Sequence, residues 1–436
     1  MGNNDQNAIR RHPNTESNPS CSGDCGSGPA MTARRSAMRT RSGRVLRFGE
    51  VTLPASKSES NRALMIAAFG RFAPDLQNLS DSHDTKVLSD ALESIDSMLP
   101  SAPRGNDMLT KALLIDIADC GTAARFLTTY LASHEGEWVL TGTERMKQRP
   151  MKSLVDSLRE LGADIQYVEY EGCLPLRIIG KPILGGKVTI DMSQSSQFAS
   201  SLLLAAPMWP EGLEMELVGE LTSLPYLEMT LAMMQHFGAE VESNGRTVFV
   251  KPEPYQSNSF VVELDWSAAS YWYEMAAFSE ECEIRLRGLS LSSLQGDVVI
   301  VDWMKQLGVG TFVDKDTVVL RKIPCEKHPV CFDFAAHPDL YPTLAATCAG
   351  LNVDATFTGL DNLSLKESNR VEAMQTELVK LGHSPLCFAA HNDHRIVMAL
   401  APLALLCGSV SFDHPEVVEK SYPRFWEDCT FLSKSF

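Results

Sequence analysis

The chain has 436 residues, more than a single hydrophobic core holds, so two or three domains are expected. Its formal charge of −16 argues against nucleic acid or an acidic membrane surface as the main partner, and no apolar run is long enough to span a bilayer. The 11 cysteines are odd in number and lack paired metal-ligand spacing, which suits a reducing, cytoplasmic setting and no metal.

Residues 1–43 are polar, rich in Gly, Asn and Ser, and end in a basic burst, "MTARRSAMRTRSGR". They lack the apolar segment of a signal peptide. The expectation is a disordered extension without a function of its own. The first stretch with chemical content follows: "LPASKSESNRALMIAA" places Lys57, Ser58, Ser60 and Arg62 where an Ala-rich helix begins. A helix N-terminus exposes unpaired N–H groups and the positive end of the helix dipole, so this turn suits an anion. A solvated, Ser-capped helix start explains the same residues.

Further along, four stretches share one pattern: "LVDSLRELGADIQYV", "LAMMQHFGAEVE", "VDWMKQLGVGTFV" and "MQTELVKLGHSPLCF". Each has helical apolar spacing, then a glycine, then an alternating strand-like run. Gly162, Gly238, Gly308 and Gly382 stand 76, 70 and 74 residues apart. Glycine after a last helical turn tolerates left-handed geometry, and a regular interval signals repeated helix–strand units. "VLSDALESI" and "FWEDCTFL" read as degenerate first and last copies. About six α/β units follow, three in each of two domains.

Cationic residues recur beside Gly, Ser or Asn at the unit edges. "DCGTAARFL" sets Gly121 before a helix carrying Arg125, and "LTGTERMKQRP" gathers Arg145, Lys147 and Arg149 before Pro150. "QSSQFASSLLLAAP" puts Ser195, Ser196 and Gln197 at another helix start. "LKESNR" holds Lys366, Glu367 and Arg370, whose four-residue spacing would place Lys366 and Arg370 on one helical face. "HNDHRIVMALA" contributes Arg395 beside His394, and "EKSYPRFW" contributes Lys420. Singly these are ordinary surface features. Together, in an acidic chain, they predict helix N-termini converging on a cleft that binds a multiply anionic small molecule.

From about Val45 to the C-terminus these stretches, in this order, together with "LPYLEMT", "DWSAASYW", "LQGD" and "PDLYPTLA", resemble the 5-enolpyruvylshikimate-3-phosphate synthases, or 3-phosphoshikimate 1-carboxyvinyltransferases. The resemblance implies an α/β fold: a two-domain, inside-out α/β barrel of six βαβαββ-like repeats with the active site in the inter-domain cleft. The division it implies is 44–56 plus 263–436 as one discontinuous domain and 57–262 as the other. It further implies that Ser58, Arg62, Ser195, Ser196, Gln197, Ser223, Tyr226, Asp339, Asn362 and Lys366 hold shikimate 3-phosphate. By the same carry-over, Lys57, Gly121, Arg145, Gln197, Arg370, Arg395 and Lys420 surround phosphoenolpyruvate. Cations would then be needed because each substrate carries a phosphate and a carboxylate, both of which match the bidentate fork of Arg.

The implied reaction transfers the enolpyruvyl group to the 5-hydroxyl of shikimate 3-phosphate by addition and elimination. It needs a base for the hydroxyl, a proton carrier for C3 of phosphoenolpyruvate and cations for the departing phosphate. Asp339, Glu367 and Lys57 are the candidate catalytic residues in those roles; no cofactor is needed, and the family suggests a monomer. Asp119 stands where the family usually has Asn, so it must pair with a cation, be protonated or turn away. The rival readings are a UDP-N-acetylglucosamine enolpyruvyl transferase, which would use a reactive cysteine for which Cys120 is the only candidate, and a non-catalytic scaffold of the same fold.

Overall fold

The computed structural model describes residues 31–32, 45–98, 112–383 and 385–430. Three four-stranded sheets share one plan. In the first, Leu113–Asp116 and Gly136–Thr141 run parallel, and the hairpin Asp164–Tyr167 and Leu176–Gly180 adds antiparallel through its second strand. Gly186–Asp191, Leu213–Val218, Val241–Ser243 and Thr247–Val250 repeat this order. The third sheet joins Val45–Val51 to Glu281–Arg287, with Val309–Asp314 and Thr317–Lys322 as its hairpin. Its first two strands are adjacent and parallel, although the whole segment 52–280 separates them in sequence. Parallel pairs also join Val330–Asp333 to Ala355–Thr358, Leu386–Phe388 to Val410–Phe412, and Leu76–Gln77 to Phe260–Val261. The six expected units therefore correspond to six parallel pairs, three of them with the complete hairpin among the described residues.

The parallel strands need crossover helices. Helices Gly121–Ala132, Ser196–Ala205, Trp266–Phe278, Tyr341–Leu351 and His394–Leu400 fill this role and are buried over almost their whole circumference. A helix apolar all round must be enclosed, and the strands enclose it: Leu176–Gly180 and Leu213–Val218 alternate buried and less buried residues. Helices lie inside and sheets outside.

Buried apolar side chains form two separate clusters. One runs from Ala55 to Val262; the other comprises Leu53 and residues from Trp266 to Cys429. The chain crosses between them twice, side by side: Ser56 N–H donates to Glu263 O at 2.8 Å and Asp265 N–H to Pro54 O at 2.9 Å.

The four repeat glycines follow helices and adopt φ between +84° and +95°. At Gly162, its own N–H donates to Arg159 O and Ala163 N–H to Leu158 O, both at 2.9 Å, which closes a Schellman stop; Gly238 and Ala239 repeat it. The first degenerate copy lies on helix His83–Met98 and the last on Phe425–Asp428. Pro150 precedes helix Lys152–Glu160 by two residues. Of the extension 1–43, expected to be disordered, Met31–Thr32 form a strand against Phe357 and Thr356, whose edge is otherwise open; the remainder of that expectation lies outside the described residues.

Nothing lies within 4 Å of the position a Cβ would take on Gly162. Gly162→Ala therefore isolates the backbone cost of left-handed geometry, about 1–2 kcal/mol. Urea unfolding should show a loss of that size at unchanged slope; an unmoved midpoint would show that the stop does not depend on glycine.

Candidate active site

A cleft opens between the two cores, and the helix N-termini face it. Ser56 caps helix Lys57–Gly70, its Oγ accepting from Glu59 N–H at 3.4 Å, so the capping role is real. The next residues, Lys57, Ser58 and Arg62, nevertheless line the cleft. Cys120 caps the helix starting at Gly121, and Ser195 caps Ser196–Ala205 with its Oγ accepting from Gln197 N–H at 3.2 Å. From the other core, Asp393 caps the helix that begins His394–Arg395, accepting from Arg395 N–H at 3.0 Å. Gly121 leaves room for two guanidiniums here: a Cβ would stand 2.6 Å from Arg149 Nη1 and 2.8 Å from Arg125 Nη1, so a larger residue would displace them.

Positive charge in this cleft is incompletely matched. Arg62 is buried and donates Nε to Thr230 Oγ1 at 2.7 Å, Nη1 to Ser58 O at 2.8 Å and Nη2 to Tyr226 O at 3.0 Å. Arg125, also buried, donates to Gly121 O and Pro150 O at 3.0 Å each, and its Nε has no partner. Among the described residues neither guanidinium has a carboxylate in ion-pair contact. Burial pushes Arg62 down to about 10, and burial with the neighbouring Arg149 pushes Arg125 well down. Side chains of Asn362 and Gln197 add unsatisfied buried atoms, both polar atoms of the former and Oε1 of the latter.

The opposite wall is a network of charges. Arg370, 1% exposed, meets three carboxylates: Asp393 through Nε at 2.9 Å, Asp339 through Nη1 at 2.8 Å and Glu367 through Nη2 at 2.8 Å. Asp339 also receives Arg395 at 2.7 Å and the Tyr226 hydroxyl at 3.0 Å. Burial alone would raise its carboxyl, but Arg395, Arg370 and Lys366 outweigh burial and hold it far below the usual range. Glu367 behaves alike: burial opposes ionisation, while Arg149, at 3.5 Å, and Arg370 hold the carboxyl well down. Desolvation in the cleft, only partly offset by Asp339, pushes the Lys366 ammonium down to about 8. His394 is kept neutral by burial and by Lys57 and Arg395.

Lys57 pairs with buried Asp84 at 2.9 Å, and Asp84 pairs with Lys420 at 2.7 Å. Lys420 takes Asp119 at 2.9 Å, which answers how that carboxylate is accommodated. His83, Asp84 and Asp119 have ligand atoms within 4.8 Å of one another, but both aspartates are already bound to Lys420. The Cys120 thiol is buried and pushed up to about 12 by burial first and Asp84 second, the opposite of an activated nucleophile.

Of the residues singled out by sequence, Lys57, Ser58, Arg62, Gly121, Ser195, Ser196, Gln197, Ser223, Tyr226, Asp339, Asn362, Lys366, Glu367, Arg370 and Arg395 line this one cleft. Arg145 and Lys420 line an adjoining cavity instead. The arginine that the "LTGTERMKQRP" stretch sends into the cleft is Arg149, which lines both spaces. Its position before Pro150 was the available signal, since a residue before proline is driven out of helical geometry. Lys366 and Arg370 do not share a helix. Lys366 is extended after the 3₁₀ turn Asp361–Leu365, and Arg370 opens the next helix under an Asn369 cap, because the intervening turn brings both side chains to the cleft. Asp84 was not singled out.

The sequence family model of EPSP synthase (3-phosphoshikimate 1-carboxyvinyltransferase) matches residues 44–429. A 3-phosphoshikimate 1-carboxyvinyltransferase of Bacteroides fragilis is 42% identical over 87% of this chain and 93% of its own; one of Sulfurovum is 37% identical over 87% and 95%. The structure of EPSP synthase from Acinetobacter baumannii aligns with a TM-score of 0.68 at 21% identity, over 90% of this chain and 97% of that one. The enolpyruvyl transferase NikO from Streptomyces tendae shares the fold at a TM-score of 0.60 and 16% identity. No helix among the described residues is long and apolar enough to cross a membrane. With 42% identity over most of its length and a family match spanning both cores, the chain belongs to the EPSP synthase family, the transferases also described as 3-phosphoshikimate 1-carboxyvinyltransferases.

Proposed function

We propose that the cleft transfers the enolpyruvyl group of phosphoenolpyruvate to the 5-hydroxyl of shikimate 3-phosphate, releasing phosphate. One observation carries the reading: buried arginines with no carboxylate in ion-pair contact among the described residues, Arg62 and Arg125, face a cleft lined with helix N-termini. An unpaired buried ion costs several kcal/mol, so the site is complete only with anions in it. The substrates supply two phosphates and two carboxylates. Ser58, Arg62, Ser195, Ser196, Ser223, Tyr226, Asn362 and Lys366 form the shikimate 3-phosphate side. Lys57, Gly121, Arg145, Arg370, Arg395 and Lys420 form the phosphoenolpyruvate side, joined by Arg149, with Gln197 between the two. The domains are 44–56 plus 263–436 and 57–262, a division that the two separate cores support except at Ala55, which packs with the second of these. A monomer suffices, since one chain supplies both walls, and the cysteine usage favours the cytoplasm.

In the loaded site Asp339 takes the hydroxyl proton as C2 is attacked, Glu367, having first taken up a proton from solvent, gives it to C3 and later removes one from C3, and Lys57 assists the leaving phosphate. Asp339 and Glu367 are poor bases while two arginines hold each of them. Substrate anions share those guanidinium donors, so each carboxyl rises toward a useful pKa only in the loaded site. Chemistry is thereby coupled to occupancy. The rival enolpyruvyl transferase reading loses its nucleophile, because Cys120 is buried and un-ionised.

Given both substrates, the enzyme should release inorganic phosphate. Glu367→Gln should turn over roughly 10²–10⁴-fold more slowly while calorimetry still detects shikimate 3-phosphate binding. Release with UDP-N-acetylglucosamine in place of shikimate 3-phosphate would overturn the assignment, and near-normal turnover of the variant would remove Glu367 from the chemistry. A second expectation concerns pH. Lys366 binds an anion only when protonated, and its folded-state value is about 8, so its contribution is full below that pH and lost above it. The kcat/KM for shikimate 3-phosphate, which reports the free enzyme, should fall as pH rises through about 8, and Lys366→Arg should abolish that limb. An unchanged limb in the variant would assign the titration elsewhere.

A further inference from the structure

Where the chain crosses between the two cores, two carboxyls that take no part in the proposed chemistry stand face to face. Glu59 lies in the first turn of helix Lys57–Gly70 and is buried; Glu263 lies on the second crossing and is partly buried. Glu59 Oε2 accepts from Glu263 N–H at 2.9 Å, and Glu263 O accepts from Ser56 N–H, the cap of the same helix, at 2.8 Å. The two side chains also meet carboxyl to carboxyl. Three further donors reach Glu263: Ser293 Oγ and Gln295 Nε2, the latter at 3.3 Å, at its Oε2, and Leu294 N–H at 3.4 Å at its Oε1. Glu59 Oε1 has no hydrogen-bond partner among the described residues.

The donors available decide where a proton sits. An ionised carboxylate only accepts, so two of them cannot bond to each other, and away from water they repel. Glu263 is supplied as a carboxylate by three donors, whereas Glu59 Oε1 has none. A proton on Glu59 fills that gap and turns the carboxyl into a donor to Glu263.

We infer that Glu59 and Glu263 share one proton, and that this proton site fastens the start of helix Lys57–Gly70 to the second crossing, making Glu59 a positioning residue for Lys57, Ser58 and Arg62. Burial first and Glu263 second raise the Glu59 carboxyl to about 8. The other ionisable groups nearby are engaged elsewhere. Arg62, on the same helix, donates to Thr230, Ser58 and Tyr226, and Lys57 pairs with Asp84. Asp265, two residues beyond Glu263, turns its carboxylate to Ala268 N–H at 2.7 Å, and the segment 290–295 carries no charged side chain. The shared proton is a property of the unliganded protein and does not rest on the substrates proposed above.

The folded protein holds this proton more tightly than the unfolded chain, whose glutamate titrates near 4.5. The stability it supplies is therefore full below that pH and is lost as pH rises through about 8. Glu59→Gln is the test, because its amide can donate to Glu263 and accept from Glu263 N–H with no proton to lose. In urea unfolding, the wild-type folding constant should fall relative to that of the variant by up to ten-fold per pH unit between about 5 and 8, and no further above. Infrared spectra of wild type should show a protonated carboxyl that disappears as pH rises through about 8, a loss missing from the variant. Glu274, enclosed in the second core with both oxygens unpartnered, gives a separate absorption that persists in both proteins. A stability ratio between the two proteins that does not change with pH, or no infrared carboxyl titrating near 8 in wild type, would overturn the shared proton.

Discussion

Positive charge buried without an equal negative charge governs the rest of this molecule. Lys57, Arg62, Arg125, Arg149, Lys366, Arg370 and Arg395 line the cleft, against the carboxylates Asp84, Asp339 and Glu367. Such a surplus is unstable by itself. It is tolerated because helix caps, main-chain carbonyls and hydroxyls take the guanidinium donors: Arg62 is spent on Thr230, Ser58 and Tyr226, and Arg125 on Gly121 and Pro150. The overall charge of −16 has the opposite sign, so the local field is a built feature of the site and not a general property of the chain.

The inside-out arrangement makes that density possible. With the crossover helices enclosed and the sheets outside, several helix N-termini from each core reach one interface without their side chains competing for the same volume. A small residue stands where cations meet: Arg125 and Arg149 occupy the space a Cβ on Gly121 would crowd. The Asp84 carboxylate joins Lys57 of one wall to Lys420 of the other, and Arg370 gathers three carboxylates of the second wall. The geometry gives Asp339 and Glu367 a resting state in which both are ionised and restrained, and the arrival of substrate changes the partners of the same arginines.

Much of this was legible in sequence because it depends on local rules. The repeat was readable from glycines that all adopt the positive φ a helix stop requires, and the helix starts from Ser, Gly and Asn beside cations. Features set by the path of the chain between elements were not legible. Four-residue spacing at Lys366 and Arg370 mimics a helix, but an extended residue and an Asn369 cap intervene. Arg145 and Arg149 have the same composition around them, and only the constraint of Pro150 and the tertiary position of Gly121 separate the residue that enters the cleft from the one that lines only the adjoining cavity. Asp84 has no sequence signature, since its role is to meet a lysine 336 positions away. The pairing of Asp119 with Lys420 is of the same kind: a carboxylate where an amide is usual in the family is neutralised by a partner that no local pattern discloses.

The central claim is that unneutralised buried cations make the cleft a receptor for anions, and thermal unfolding tests it most directly. A ligand that binds only the folded state raises the midpoint by an amount that grows with the logarithm of its concentration over Kd. Shikimate 3-phosphate should raise the midpoint of the wild-type protein by several degrees, shikimate at the same concentration should raise it much less, and Arg62→Met should abolish most of the difference between them. Equal shifts from shikimate and shikimate 3-phosphate, or no shift from either, would contradict the account.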